Sequence, residues 1–313
     1  MNVLVIVKPS ATFARGLVAG SNTVVESRRS SISGNSPILF GNMPYDGGNL
    51  LLNQEEKESL INDEPKTSKY ILKLLGASEF LNSKERYCLW LVNESLDDLM
   101  KIPELEKRIQ AVRESRLASS DKGAHKLAER PHEFRDLNNP DSFILLPRVS
   151  SERRKYIPIG IFNKNVISTD ANQIIPNGTI FEFGILTSII HNDWMRLVAG
   201  RLESRYRYSG TIVYNTFPFP DATDEQKKNI EALAEEVLLA RASNAGMTLA
   251  ELYDPDKMPE DLKKAHSTLD DAVDKLYRLQ GFANTEERLA HLLARYEQLI
   301  ELEQQSKGKK KAK

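Results

Sequence analysis

Cysteine is almost missing from this sequence of 313 residues: Cys88 stands alone, in the apolar run Tyr87-Cys88-Leu89-Trp90-Leu91. A single thiol excludes a disulfide framework and any cysteine-based zinc site, and it fits a reducing, cytoplasmic setting. Net charge is nearly missing as well, with 43 Lys and Arg against 44 Asp and Glu for a formal charge of -1. The molecule as a whole is therefore no polycation that would coat nucleic acid or membrane indiscriminately, and any such footprint has to be local. Long hydrophobic runs are lacking too. Met1 to Val7 is apolar but meets Lys8 and Pro9 at once, so it is too short for a membrane span and has no basic leader segment. It reads as a short buried strand or an ill-fitting leader, and no membrane partner is expected.

Catalytic signatures are equally scarce. There is no Gly-x-Gly-x-x-Gly, no phosphate-binding Walker loop, no Gly-x-Ser-x-Gly and no His-Glu-x-x-His, which removes the common nucleotide, hydrolase and metalloprotease sites. The histidines His125, His132, His191, His266 and His291 show no paired spacing on one helix face, so no metal site is expected. His191 reads as a buried, hydrogen-bonded residue and Cys88 as a small core residue. Asp46-Gly47-Gly48 reads as a turn, because Asp-Gly supplies positive φ cheaply. Pro140-Asp141 followed by Glu152 and Lys155 imitates a Mg²⁺ nuclease site with the wrong glutamate-lysine spacing. A cryptic Mg²⁺-dependent nuclease using Asp141 and Glu152 is kept as an alternative.

What is present is an ordinary globular composition, 40% apolar and 28% charged, with enough length for two domains. The clearest boundary is Asn215-Thr216-Phe217-Pro218-Phe219-Pro220-Asp221, whose prolines forbid helix and central strand alike. Beyond it Thr223-x-x-Gln226 has capping-box form, and Ile230, Leu233, Val237 and Leu238 follow at helical spacing, predicting a helix over about 223–242. Further helices are predicted from near Pro259, with Leu262, Leu269, Val273 and Leu276 on one stripe, and from about Thr285. The last eleven residues, 303–313, end in Lys-Gly-Lys-Lys-Lys-Ala-Lys and read as a basic flexible tail.

Before residue 217 the periodicity is mixed. Strands are predicted at Thr23–Glu26, Pro37–Phe40, Ile144–Leu146, Tyr156–Ile159, Val166–Ser168 and Ile180–Phe183. Helices are predicted at Asn53–Leu60, Thr67–Leu75, Pro103–Arg116 and Leu186–Leu202. The expected class is α+β, a mixed sheet-and-helix domain over 17–216 and a small all-helical domain over 221–302, with residues 1–16 standing apart.

The near-neutral total hides a division. From 148 to 215 nine basic residues face five acidic ones, whereas 221–302 carries 18 acids and 10 bases. Within the basic segment Arg201, Glu203, Arg205 and Arg207 alternate with Leu202, Ser204 and Tyr206, so an extended chain would project all four from one face. Arginine reads guanine O6 and N7 in bidentate fashion and glutamate accepts from cytosine N4, so such a blade has the chemistry to read base edges of double-stranded DNA. Arg148, Ser150, Ser151, Arg153, Arg154, Lys155 and Arg201 suit phosphate contacts that set register. The alternatives are a solvated edge strand laced with ion pairs, and a protein-interaction module whose acidic helices dock a partner.

Six ordered segments also resemble a known family. They are Phe40-Gly41-Asn42-Met43-Pro44-x-Asp46-Gly47-Gly48, Arg86–Leu91, Pro147–Arg154, Phe183–Ser188, Arg205–Ser209 and Ile212–Asn215 with Phe217, Pro218 and Pro220. Together they look like the C-terminal half of MmeI-like type IIL restriction-modification enzymes, and Leu252–Pro255 with Ala265-His266 and Leu269–Asp274 resembles the same family's helical C-terminal domain. The resemblance covers about 17–302. It implies a target recognition domain for duplex DNA followed by a helical domain, working with an adenine-N6 methyltransferase domain or subunit. Carried over by position, Glu203 with Arg205 resembles one base-pair-reading couple and Ala171 with Arg207 another. The family's Asn-Pro-Pro-Tyr/Phe motif and glycine-containing S-adenosylmethionine turn are not found in this sequence. The resemblance therefore implies no catalytic residue and no cofactor in this chain, S-adenosylmethionine and the Mg²⁺ of cleavage belonging to the catalytic half.

Overall fold

The computed structural model describes residues 3–8, 14–18 and 23–311. In chain order its strands are β1 Val3–Lys8, β2 Ala14–Val18, β3 Val24–Glu26, β4 Leu39–Phe40, β5 Leu51–Leu52, β6 Ile71–Leu75, β7 Tyr87–Leu89, β8 Ser142–Pro147, β9 Val149–Ser150, β10 Gly160–Asn163, β11 Val166–Ser168, β12 Asn172–Pro176, β13 Gly200–Leu202 and β14 Arg205–Arg207. Its helices are α1 Gln54–Asp63, α2 Ala77–Asn82, α3 Leu96–Leu99, α4 Pro103–Leu117, α5 Lys122–Leu127, α6 Ile180–Thr187, α7 Ile189–Val198, α8 Asp224–Ser243, α9 Leu249–Leu252, α10 Glu260–Tyr277 and α11 Thr285–Lys311. The class is α+β. No helix among the described residues is long and apolar enough to cross a membrane.

The chain divides into two compact units. The first comprises 1–39, 146–161 and 175–313, and the second 40–145 and 162–174, so the chain passes between them four times.

The second unit is built on a four-stranded sheet of order β11-β6-β7-β5, with β11 parallel to β6 and the other pairs antiparallel. Leu74, Cys88, Leu89 and Ile167 of the sheet pack with Leu105, Ile109 and Val112, one stripe of α4. Pro103 opens α4, where a missing N–H costs nothing. The predicted helix at Thr67–Leu75 is instead a 3-10 turn, Pro65–Tyr70, followed by β6. Short apolar runs fit either period, and cross-strand pairing of Leu72 with Cys88 decides the outcome. The Asp46 turn forms as its residues suggest: Gly47 and Gly48 have φ of 62° and 86°, and the buried Asp46 carboxylate accepts from the N–H of Gly48 at 3.0 Å and of Leu50 at 2.6 Å.

The last residue of the α4 stripe is Arg116, which is fully buried. Its guanidinium donates to five backbone carbonyls, of Pro44 (3.2 Å), Tyr45 (2.9 Å), Leu127 (2.7 Å), Arg130 (2.9 Å) and Glu133 (2.6 Å). Burial lowers its pKa to about 10. One side chain thus holds the loops before β5 and after α5 against the end of α4.

In the first unit β9, β14 and β13 form a small antiparallel sheet, and helices make up most of the rest. Ile180–Phe183, predicted as strand, is the first turn of α6, because Thr179 and Glu182 close a capping box. The predicted single helix Leu186–Leu202 is broken at Ser188, whose φ and ψ of -73° and 162° are extended, and it ends at Val198 before β13 begins. Tyr156–Ile159 is buried without being a strand. Pro158 cannot donate to a ladder, and side chains bond this segment instead: Ile157 N–H donates to Asn192 at 2.8 Å, and Arg241 donates to the Ile159 carbonyl at 2.7 Å.

Beyond Pro220, helices α8 and α10 start close to the predicted positions, the Thr223–Gln226 capping box included. Helix α11 continues to Lys311, so the predicted tail is helical in its backbone over most of its length. These helices fall within the first unit. Gly184 lets α6 approach α8 closely, since a Cβ there would lie 2.8 Å from a methyl of Ile230. The buried stripe of α10 is partly polar: His266 stacks on Tyr156 with centroids 4.0 Å apart and meets the Tyr253 hydroxyl at 2.8 Å. Asp270 accepts from the Tyr156 hydroxyl and from Ile189 N–H, both at 2.7 Å.

Burial lifts the Asp270 carboxyl to about 7, from an ordinary value of 3.8. Between those values the unfolded chain releases this proton while the folded chain keeps it. Its contribution to stability is therefore complete below about pH 4 and is lost as the pH rises to about 7. Asp270→Asn removes this titration. The variant is expected to gain on the wild type with rising pH, by up to about 1.4 kcal/mol per unit. Urea melts of both proteins at pH 5 and pH 8 check this, and a stability difference independent of pH would refute it.

Candidate nucleic-acid interface

β13 and β14 form a hairpin whose turn is Glu203-Ser204, in the register Gly200↔Arg207, Arg201↔Tyr206 and Leu202↔Arg205. The predicted single blade is thus corrected: the chain reverses at Glu203, which has a φ of 57°. A residue with a side chain costs about 1–2 kcal/mol in this left-handed region. No Gly or Asn announces the turn.

The reversal sorts the side chains by face. Opposed residues in an antiparallel pair share a face, so Leu202, Arg205 and Arg207 lie on one side, joined from β9 by Val149 opposite Arg207. Arg205 and Arg207 are exposed while Tyr206 and Tyr208, pointing the other way, are buried. The tyrosine face is the anchored one. His191, buried and 3.1 Å from the Tyr208 hydroxyl, bonds the Leu186 carbonyl at 2.7 Å through its other nitrogen, and burial depresses its pKa to about 4. It therefore braces the hairpin as a neutral ring. Glu203 turns back to pair with Arg205 at 2.8 Å, so one carboxylate and one guanidinium are presented together at the tip.

Arg201 sits apart from the other two arginines. Its guanidinium lies over the Tyr206 ring, 3.7 Å from the centroid, and donates to the Ser204 carbonyl at 2.9 Å. It closes the turn from the tyrosine side. Ser150, opposite Tyr206, is 3% exposed, so its hydroxyl does not face solvent. Ser151 is half-buried and accepts from Arg153 N–H at 3.3 Å. Lys155 is exposed, with its ammonium 5.0 Å from the centre of the Tyr156 ring. Arg154 is half-buried, and burial lowers its pKa. Arg148 is half-buried, and its carbonyl accepts from Tyr208 N–H at 2.8 Å.

Arg153 is exposed, yet its guanidinium is paired at 2.5 Å with Asp256, on the turn between α9 and α10. Asp256 was not legible as part of the site, because 103 residues separate it from Arg153. Ala171 lies in the second unit, on the exposed turn before β12, where its N–H donates to Thr169 at 3.3 Å. Of the nuclease-like carboxylates, Asp141 is paired with Lys164 at 3.0 Å and Glu152 is exposed. Among the described residues no three His, Cys, Asp or Glu side chains gather as a metal site would require. Cys88 is fully buried, and desolvation pushes its thiol pKa far up, as befits a core residue.

An α+β body that presents paired arginines on an anchored hairpin, continued by helices bonded into the same unit, has the form of a recognition module. The chain belongs to the MmeI family: residues 19–221 match the MmeI target recognition domain and 222–302 the MmeI C-terminal domain. It is 41% identical over 286 residues to DNA methyltransferase A of Bacillus subtilis (strain 168), a match that covers 91% of this chain and 32% of that protein. The solved structure of the type IIL restriction-modification enzyme MmeI in complex with DNA superposes with a TM-score of 0.86 at 39% identity, over 93% of this chain and 40% of that one. The chain thus spans about a third of the length of the methyltransferase it matches.

Proposed function

We propose that this chain is the sequence-selecting part of a restriction-modification DNA adenine-N6 methyltransferase. It binds duplex DNA, reads base edges in the major groove with Glu203, Arg205 and Arg207, and has no catalysis of its own. The observation that carries this reading is the two-faced hairpin, on which Arg205 and Arg207 are exposed opposite buried Tyr206 and Tyr208. Arginine pairs bidentately with guanine and the adjoining carboxylate accepts from cytosine, so the ion-paired tip of Glu203 and Arg205 matches the two halves of one G·C pair. The family resemblance assigns Ala171 a part in base reading as well, as a small residue that leaves space. Arg148, Ser151, Arg153, Arg154 and Lys155 contact phosphates in this reading, while Arg201 stiffens the turn.

The methyl donor belongs elsewhere. At the strand-to-helix turn of Gly76, between β6 and α2, the Glu79 carboxylate occupies the space beside the glycine that a bound cofactor would need. These residues do not fit S-adenosylmethionine. Its chemistry, and the Mg²⁺ of any cleavage, fall to a methyltransferase domain or subunit acting on the DNA that this chain selects, in the cytoplasm. Selection from random duplexes by the purified chain, with and without an added methyltransferase domain, tests the reading. Enrichment of one motif is expected, and no enrichment in either case would overturn it.

The Arg153–Asp256 pair makes a second prediction. A phosphate has to displace Asp256 from the guanidinium, and an exposed ion pair resists that only weakly. Asp256→Ala should therefore tighten binding to all duplexes alike, by up to about fivefold at low salt. Arg153→Ala should weaken it uniformly and reduce the salt slope by roughly one. Fluorescence anisotropy across a salt series measures both, and an unchanged slope in Arg153→Ala would remove the phosphate contact.

A further inference from the structure

The hairpin register brings one more side chain to the face of the arginines. Leu202 stands directly opposite Arg205 and is 45% exposed, although its neighbour Tyr206 is almost wholly buried. Facing away from the tyrosines, it adds nothing to their anchoring. Arg207 differs in this respect, because its partner on β13 is Gly200, which has no side chain. Opposed Cβ atoms in an antiparallel pair lie about 4.5–5.5 Å apart, and base pairs follow one another at roughly 3.4 Å along a strand. An aliphatic group at that offset from a guanidinium seated on guanine falls on the neighbouring base pair. The apolar group that base edges offer in the major groove is the C5 methyl of thymine.

We propose that Leu202 is a specificity-determining residue that contacts the thymine methyl of the base pair next to the one read by Arg205. This rests on the base-edge reading of the hairpin given above. It implies that the selected duplex carries thymine beside that G·C pair.

The probe is the duplex enriched by the 313-residue chain, in which each thymine is replaced in turn by deoxyuridine, which lacks only the methyl. One replacement is expected to weaken wild-type binding about fourfold, the factor equivalent to ~0.8 kcal/mol for one buried carbon. Leu202→Ala should bind the parent and that replaced duplex equally, and Leu202→Met should keep the preference. The proposal is overturned if no thymine shows the effect with wild-type protein, or if Leu202→Ala still discriminates. Arg205→Ala, run in parallel, separates the two readings. If it loses selectivity at one position while deoxyuridine has no effect, only the role of Leu202 fails. If no motif is enriched at all, both readings fail.

Discussion

Alanine at Arg116 is expected to cost about 3–5 kcal/mol of stability, because it breaks a buried hydrogen-bond network and leaves several carbonyls without a donor. A domain holds only about 5–15 kcal/mol in total, so the second unit of this variant should keep a much smaller margin and open far more often. Five carbonyls lose their donor together, and those that water cannot reach each cost about 1–3 kcal/mol in desolvation. Arg116→Lys should recover little, because an ammonium carries three donors on one atom whereas these carbonyls approach from the sides of a planar fork. Amide hydrogen exchange locates the effect: protection should fall at Leu50, Leu74, Leu89 and Ile109. A urea midpoint for Arg116→Ala matching that of the wild type would show that the loops around residues 44 and 130 hold without it.

Arg205→Ala is the functional counterpart, with an expected loss of about 1–3 kcal/mol, or roughly five- to 150-fold, on the preferred duplex. The same variant should bind unrelated duplexes nearly as well as the wild type, because base contacts specify while phosphate contacts hold. Arg205→Lys keeps the charge but not the bidentate fork, so it should restore general binding and not selectivity. Selectivity at the other base pairs should survive, Arg207 having its own place on the face. Selection logs of wild type and variant, compared position by position, give the answer. Equal weakening on every sequence would make Arg205 a phosphate contact and remove it from base reading.

Much of the helical end was legible in the sequence, for local reasons. The Thr223–Gln226 capping box, Pro259 before α10 and the stripe Leu262, Leu269 and Val273 are short-range signals that the tertiary structure leaves in force. Short apolar runs were not legible. Ile180–Phe183 and Ile71–Leu75 exchanged helix for strand, in opposite directions, because a capping box decided the one and cross-strand partners decided the other. The charged residues of the site could be found by composition, but their faces could not. The turn at Glu203 uses a conformation its residue type does not favour, so the alternation of Arg201 with Arg205 and Arg207 suggested one face where the structure has two. The latch of Asp256 on Arg153 and the carbonyl clamp of Arg116 depend on contacts that no local window contains.

The four passages of the chain between the two units bear on how the protein is made. The sheet of the second unit gains β11 only from residues 166–168, about ninety positions after β6, to which it is paired. In the first unit residues 23–39 are made well before the helices that follow residue 220, for which they wait. On the ribosome neither unit can close while its early part is already exposed. Non-local pairing of this kind is slow, and it leaves apolar surface open in the meantime. A nascent chain arrested before Ile174 should bind holdase chaperones along its length, and release of the second unit should come abruptly, once β11 has emerged.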